Sequence, residues 1–168
     1  HQICRKGIAR TFQTPRTFDS LSIFENILMG ARFGKPDEKD LMSAVEEVME
    51  FANLVEKKEL MCHNLNVSEK KWVEITRALA TRPKLLLLDE VIAGLNPVET
   101  ENIMELIRKI RKEKKTTVFM IEHVMKAIMN ISDRIIVLHH GEKIAEGAPQ
   151  SIIRDRKVID VYLGERFI

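Results

Sequence analysis

Two adjacent carboxylates, Asp89 and Glu90, close the run Lys84-Leu85-Leu86-Leu87-Leu88. A short apolar run of this kind, opened by Arg82-Pro83, reads as a central parallel strand buried on both faces, because a half-exposed strand would alternate. In an open α/β sheet, ligands bind beyond the carboxyl ends of the strands, which is where the two acids fall. Such a pair suits a metal-bound phosphate, with Asp89 on Mg²⁺ and Glu90 polarising the attacking water. The plain alternative is a strand that ends in two solvated acids. Gln13 and His123 each follow another expected strand, so a parallel sheet would gather all four side chains along one edge. A lone histidine or glutamine there says little, and it is the set that carries weight.

The elements that would position them follow from periodicity and caps. Gly7 to Phe12 reads as a short strand that Pro15 ends. Ser22 is an N-cap for a helix over Ile23 to Ala31, with Glu25 completing a capping box and Gly30, Gly34 and Pro36 breaking it. Asp37 to Leu54 is amphipathic, with Leu41, Ala44, Val45, Val48 and Met49 at helical spacing. A helical turn covers Val55 to Met61, and a helix capped by Ser68 runs from about Glu69 to Thr81. Asn96, Pro97 and Glu99 make a strong helix start after the acidic strand. Strands are expected at Thr116 to Ile121, Arg134 to Leu138 and Lys143 to Glu146, and short helices around residues 151–153 and 157–163. Alternating strand and helix means an α/β fold with a mostly parallel sheet. The expected boundaries are a single domain over 1–168, a helical subdomain at 21–81 and a helical tail at 145–168.

The chain has 168 residues, 45% hydrophobic and 31% charged, enough for a sizeable core in one domain. A net charge of +2 is too mild to argue for nucleic acid. The cluster Arg108, Lys109, Arg111, Lys112, Lys114 and Lys115 reads as a solvated helix end, where cations complement the dipole. Cys4 and Cys62 are expected as reduced thiols in the cytoplasm. No apolar run approaches the roughly 20 residues of a membrane span, so any membrane association is expected through a partner. A start at His1 hints at residues upstream.

These motifs, in this order, resemble the ATP-binding-cassette ATPases. Gly7-Ile8-Ala9-Arg10-Thr11-Phe12-Gln13 is similar to the Q-loop, Leu85 to Glu90 to Walker B, Ala93-Gly94-Leu95-Asn96-Pro97 to the D-loop, and Ile121-Glu122-His123 to the H-loop. The wording, including Gly141-Glu142-Lys143-Ile144-Ala145-Glu146-Gly147 and Val161-Tyr162-Leu163-Gly164, most resembles ATP-binding subunits of branched-chain amino acid importers. The resemblance implies a P-loop-NTPase-like sheet and a subunit that pairs with a second one around ATP and drives a membrane permease from the cytoplasmic face of the membrane. It implies that Gln13 touches Mg²⁺ and the water, that Asp89 holds Mg²⁺, that Glu90 is the base, and that His123 contacts the γ-phosphate. Asn96 would sit at the dimer seam, and Pro15 to Phe18 with the helices from Asp37 to Met61 would face the permease.

Two departures stand out. A phosphate cradle needs G-x-x-x-x-G-K-[ST], and Gly30 to Pro36 is the nearest run, failing on spacing and on Pro36. In the family that loop precedes the Q-loop, so it is expected upstream of His1. The P-loop strand would be missing from the sheet, the chain alone would bind ATP weakly, and the strands at 117–121 and 135–138 would either pair directly or leave unpaired apolar edges. The second departure is the signature, here Leu65-Asn66-Val67-Ser68-Glu69. Ser68 and Glu69 stand where the family has glycine and glutamine, and a Glu69 carboxylate aimed at the partner's phosphate would repel it. The reading is an ATP-hydrolysing importer subunit requiring Mg²⁺ and ATP. The alternative is a non-catalytic, truncated or degenerate cassette that docks on a permease or partner; a soluble cassette of DNA repair or translation has neither a coiled-coil insertion nor a strongly basic face behind it.

Overall fold

The computed structural model describes residues 1–34 and 41–163. These divide into two compact units, 1–122 and 123–168, and each is described by itself.

In the first unit a short helix α1 (Gln2–Arg5) leads into β1 (Ile8–Arg10). Two further strands, β2 (Leu85–Asp89) and β3 (Thr117–Ile121), complete a parallel sheet of order β1-β2-β3. The expected central place of β2 is thus met, with Leu87 in register with both Arg10 and Phe119. Its expected burial on both faces is not. Leu86 and Leu88 are sealed, whereas Leu85 and Leu87 are half-buried. The same face of β3 shows why: Phe119 and Ile121 are 50% and 55% exposed, so that side of the sheet carries apolar side chains into solvent. Alternation of this kind marks a sheet covered on one face.

Three helices form the layer around the signature stretch. α2 (Ile23–Gly34) opens on the expected capping box, the Ser22 N–H donating to Glu25 Oε2 at 2.8 Å and the Glu25 N–H to Ser22 Oγ at 3.1 Å. It does not break at Gly30, as expected, but runs through it. A Cβ at Gly30 would lie 2.2 Å from the Arg77 carbonyl oxygen, so glycine here permits a close helix crossing. α3 (Leu41–Phe51) follows; the expected start at Asp37, like Lys35 and Pro36, lies outside the described residues. A 3₁₀ turn at Val55–Lys57 stands within the helical turn expected over Val55 to Met61, and a second, Cys62–Asn64, follows it.

α4 (Val67–Ala80) begins two residues earlier than expected and is capped by Asn66 in place of Ser68. Asn66-x-x-Glu69 is itself a capping box, and it outcompetes a cap one turn less complete. Trp72 donates its indole N–H to the Ala52 carbonyl at 2.9 Å, fastening α4 beside the end of α3. α5 (Pro97–Glu113) has the expected Asn96 cap, Pro97 at its first turn, and Ile103, Ile107 and Ile110 buried. Its basic end is less solvated than expected. Lys109 Nζ donates to the Phe51 carbonyl at 2.9 Å, and Lys114 pairs with Glu47 at 2.5 Å, so α5 is tied to α3.

The second unit holds α6 (Met125–Ile131) and the antiparallel hairpin β4 (Ile135–His139) and β5 (Glu142–Gly147). His140 and Gly141 both have positive φ, 48° and 80°, which suits a two-residue hairpin turn. α7 (Pro149–Ile152) and α8 (Arg156–Val158) follow, and Ile135, Val137, Ile152 and Val158 form this unit's core. β4 and β5 make a two-stranded sheet of this unit's own.

Candidate functional site

The carboxyl ends of β1 and β2 lie side by side, and a pair of contacts fixes them there. The Thr11 N–H donates to the Leu87 carbonyl at 2.9 Å, and the Asp89 N–H donates to Thr11 Oγ1 at 3.4 Å. Gln13, two residues beyond, donates from Nε2 to Glu90 Oε2 at 2.7 Å. Arg10 Nη2 pairs with Asp89 Oδ2 at 2.9 Å. Gln13, Asp89 and Glu90 are therefore brought together. His123 opens the second unit as an exposed residue.

Glu90 sits in an unusual backbone. Its φ is 46°, in the left-handed region that non-glycine residues seldom adopt. Such a conformation costs on the order of 1–3 kcal/mol and persists where neighbours over-determine it. Here the Glu90 N–H donates to the Ile121 carbonyl at 2.9 Å, while its own carbonyl accepts from Lys71 Nζ at 3.2 Å. Lys71 also donates to the Ala93 carbonyl at 2.7 Å, and the Ile92 N–H donates to Glu122 Oε1 at 2.9 Å. The turn after the acidic pair is thus held from α4 and from the end of β3.

Two buried charges of α4 were not singled out from the sequence. Lys71 and Glu74 are each only 3% exposed. Burial lowers the Lys71 pKa, opposed by the carboxylates of Glu122, Glu90 and Glu74. Burial raises that of Glu74, opposed by the Arg16 and Phe12 N–H groups that point at it. The sequence carries only half of the signal: positions 71, 74, 75 and 78 follow the i, i+3, i+4, i+7 stripe of a buried helix face, but two of them are charged, which points to a surface.

The signature residues lie at the start of α4. Leu65 is buried, Asn66 is exposed and Ser68 half-buried. The Glu69 carboxylate turns back on its own helix, accepting the Asn66 N–H at 3.2 Å and pairing with Lys57 at 2.8 Å. The Lys57 hydrogen bond foremost holds its pKa below the ordinary glutamate value. The Glu69 carboxylate is thus engaged by Lys57 and by the start of its own helix. Asn96, expected at a dimer seam, uses its side-chain oxygen to cap α5, accepting from the Val98 and Glu99 N–H groups at 3.0 Å each.

Hard oxygen donors suit Mg²⁺, which binds through one or two carboxylates together with phosphate oxygens and water. The Asp89 carboxylate, which here pairs with Arg10, and the Gln13 amide oxygen are donors of that kind, at the carboxyl ends of neighbouring strands, and such a donor set would suit the ion. The Gln13 amide fixes the direction of the Glu90 carboxylate, and a carboxylate so held could serve as a general base.

The sequence profile of the family described as ABC transporter matches residues 1–93. The chain belongs to the ABC transporter family. A second profile, described as branched-chain amino acid ATP-binding cassette transporter, matches residues 142–168. The high-affinity branched-chain amino acid transport ATP-binding protein BraF of Pseudomonas aeruginosa is 38% identical, the alignment covering 98% of this chain and 71% of BraF. LivG of Escherichia coli K12, of the same description, is 37% identical, with 98% and 70% covered. The ADP conformation of MJ1267, an ATP-binding cassette of an ABC transporter, superposes with a TM-score of 0.80 at 31% identity, covering 98% of this chain and 71% of that one. CbiO1 from Clostridium perfringens, part of the transporter complex cbiONQ, gives a TM-score of 0.81 at 29% identity, covering 93% and 62%. The fold is that of an ABC ATPase cassette, and by family the chain is an ABC-type ATPase subunit of an importer.

Proposed function

We propose that this ABC cassette serves an importer of branched-chain or chemically similar amino acids, hydrolysing ATP at the cytoplasmic face of the membrane as one of two paired subunits. The observation that carries the reading is the Gln13 to Glu90 hydrogen bond of 2.7 Å at the carboxyl end of the central strand, beside Asp89. Phosphoryl transfer needs positioning and charge neutralisation more than covalent chemistry; these three side chains would supply the positioning, and the cation they would hold the neutralisation. Glu90 takes the proton from the attacking water, Gln13 keeps the carboxylate aimed, and Asp89 with Gln13 would hold Mg²⁺, which neutralises phosphate charge when bound. In the reading carried over from the family, His123 would meet the γ-phosphate, Asn96 the seam with the second subunit, and the Leu65 to Glu69 segment that subunit's phosphate.

The substrate class is supported by the match at residues 142–168 and by the relatives named above. Among the described residues no helix is long and apolar enough to cross a membrane; in this reading the cassette docks on a permease. A cleft of about 390 Å³ lined by Phe18, Met29, Phe33, Arg77 and Ile8 among others is the candidate surface for it, adjoining the Pro15 to Phe18 segment.

The test is uptake of labelled leucine, isoleucine and valine by cells lacking their own importer and supplied with the intact subunit and its permease. ATP-dependent uptake that Glu90→Gln abolishes is expected. Uptake of a different solute only would overturn the substrate class, and an assembled transporter without turnover would favour the non-catalytic docking module.

A further inference from the structure

One turn of α4 reaches the backbone on either side of Gln13 and the carbonyl of Glu90. Glu74 Oε1 accepts the Arg16 N–H at 3.1 Å and Oε2 the Phe12 N–H at 3.4 Å, which brackets Gln13 in the chain. Arg77 Nη2 donates to the Arg16 carbonyl and lies 3.8 Å from Glu74 Oε1. Three residues before Glu74, on the same face of the helix, Lys71 Nζ donates to the carbonyls of Glu90 and Ala93 at 3.2 and 2.7 Å. Burying a lysine and a glutamate is expensive unless each is paired or hydrogen-bonded. A plain helix–sheet contact would be served by leucine at both positions. What the two charges add is direction: each ends on backbone groups of a different loop, and those loops carry the two members of the pair.

We infer that Lys71 and Glu74 are positioning residues for hydrolysis, a brace on α4 that sets the Gln13 segment against the Glu90 peptide so that base and glutamine stay in register. The inference rests on the reading of Glu90 as the base. It assigns α4, whose first turn is the signature, a second task at its middle: displacement of α4 moves Gln13 and Glu90 together, so the helix that meets the partner subunit also adjusts the water-activating pair. Neither Lys71 nor Glu74 touches the reacting atoms in this assignment.

The experiment has two arms. In the first, amide exchange is followed by NMR in this 168-residue chain and its Glu74→Ala, Glu74→Gln and Lys71→Met variants. Glu74→Ala should speed exchange at Arg16 and Phe12 about ten-fold or more, leaving the amides of Leu86 and Leu88 unchanged. Glu74→Gln, which keeps the shape and one acceptor, should show a smaller rise and covers the case in which the alanine variant does not fold. Lys71→Met should act on the 90–93 turn instead. In the second arm the intact subunit with its permease is assayed for ATP turnover. Each variant should lower kcat about ten-fold or more with KM for ATP unchanged, and Lys71→Arg should recover most of it. Unchanged exchange at Arg16 in a folded Glu74 variant, a uniform rise across α4 and β2, or unchanged kcat despite local loosening would each overturn the brace. If the unsubstituted transporter itself shows no turnover, the functional reading fails, while the exchange arm still decides whether Glu74 and Lys71 hold the two loops.

Discussion

Gly30 and Arg77 meet backbone to backbone: the space a Cβ would need at Gly30 is filled by the Arg77 carbonyl, 2.2 Å away, and the Arg77 Cγ at 3.0 Å. Arg77 in turn donates to Asn26 Oδ1 at 3.2 Å, so one residue of α4 is held at two levels of α2. The α2–α4 crossing is therefore close and pinned at two points. Gly30→Ala should separate the helices and destabilise the first unit by roughly 1–3 kcal/mol, as overpacking does. Gly94→Ala is the contrasting variant, since a Cβ there meets nothing within 4 Å and only its φ of 75° resists. Urea titrations of the two variants measure the difference; equal midpoints would show that α2 yields freely.

Glu90→Gln should abolish turnover, by about 10²–10⁴-fold for a general base, while leaving ATP binding intact. The glutamine can still accept from Gln13, so the loop geometry should survive. Gln13→Ala should cost less, because it removes the aim of the carboxylate and leaves the base. Phosphate release and nucleotide affinity, measured on the intact subunit, separate the two effects. A Glu90→Gln subunit that hydrolyses ATP at the original rate would remove Glu90 from the mechanism.

The start of α4 should be pH-sensitive. Glu69 has its folded pKa depressed, chiefly by Lys57. A depressed carboxyl contributes stability that is full above the unfolded glutamate value, about 4.3, and is lost as pH falls through the lower folded value. Stability should therefore decline below about pH 4.3, and Glu69→Gln should flatten that part of the profile. The pair is partly exposed, so the effect should be small, about 0.2–1 kcal/mol. Asn66→Ala removes the cap and should cost about 1 kcal/mol at every pH. Chemical denaturation repeated from pH 6 to about pH 3 reads both, and a profile unchanged by Glu69→Gln would mean that the carboxylate contributes nothing there.

The open face of the sheet predicts self-association of the 168-residue chain. Phe119 and Ile121 stand exposed on β3, an edge strand among the described residues, and exposed apolar edges invite pairing with another chain. Sedimentation velocity should show species larger than monomer that diminish in a Phe119→Ser, Ile121→Ser double variant. A monomer at all concentrations would contradict this.

Most of the fold was legible because its signals are local. The Ser22/Glu25 and Asn96/Glu99 boxes, the leucine run of β2 and the His140-Gly141 turn each act through neighbours a few residues away. The misreadings arise where a distant contact decides. Gly30 reads as a breaker until Arg77 is seen packing on it, and the basic end of α5 reads as solvated until Phe51 and Glu47 are found beside it. At the site, Gln13, Asp89 and Glu90 could be gathered from strand ends alone. Lys71 and Glu74 were missed because their spacing marks a core stripe and their chemistry marks a surface; burial against the two loops, which resolves the conflict, is a tertiary fact.

Trp72 is the single tryptophan of the chain, and its indole N–H is donated to Ala52 at the junction of α3 and α4. Its emission is thus a native optical reporter of that junction alone, silent about the sheet and about residues 123–168. Fluorescence and circular dichroism followed through the same melt will coincide if the helical layer and the sheet come apart together. If the emission shifts first, the layer that carries the signature loosens before the strands that carry Asp89 and Glu90, and the cassette has a soft half and a hard one.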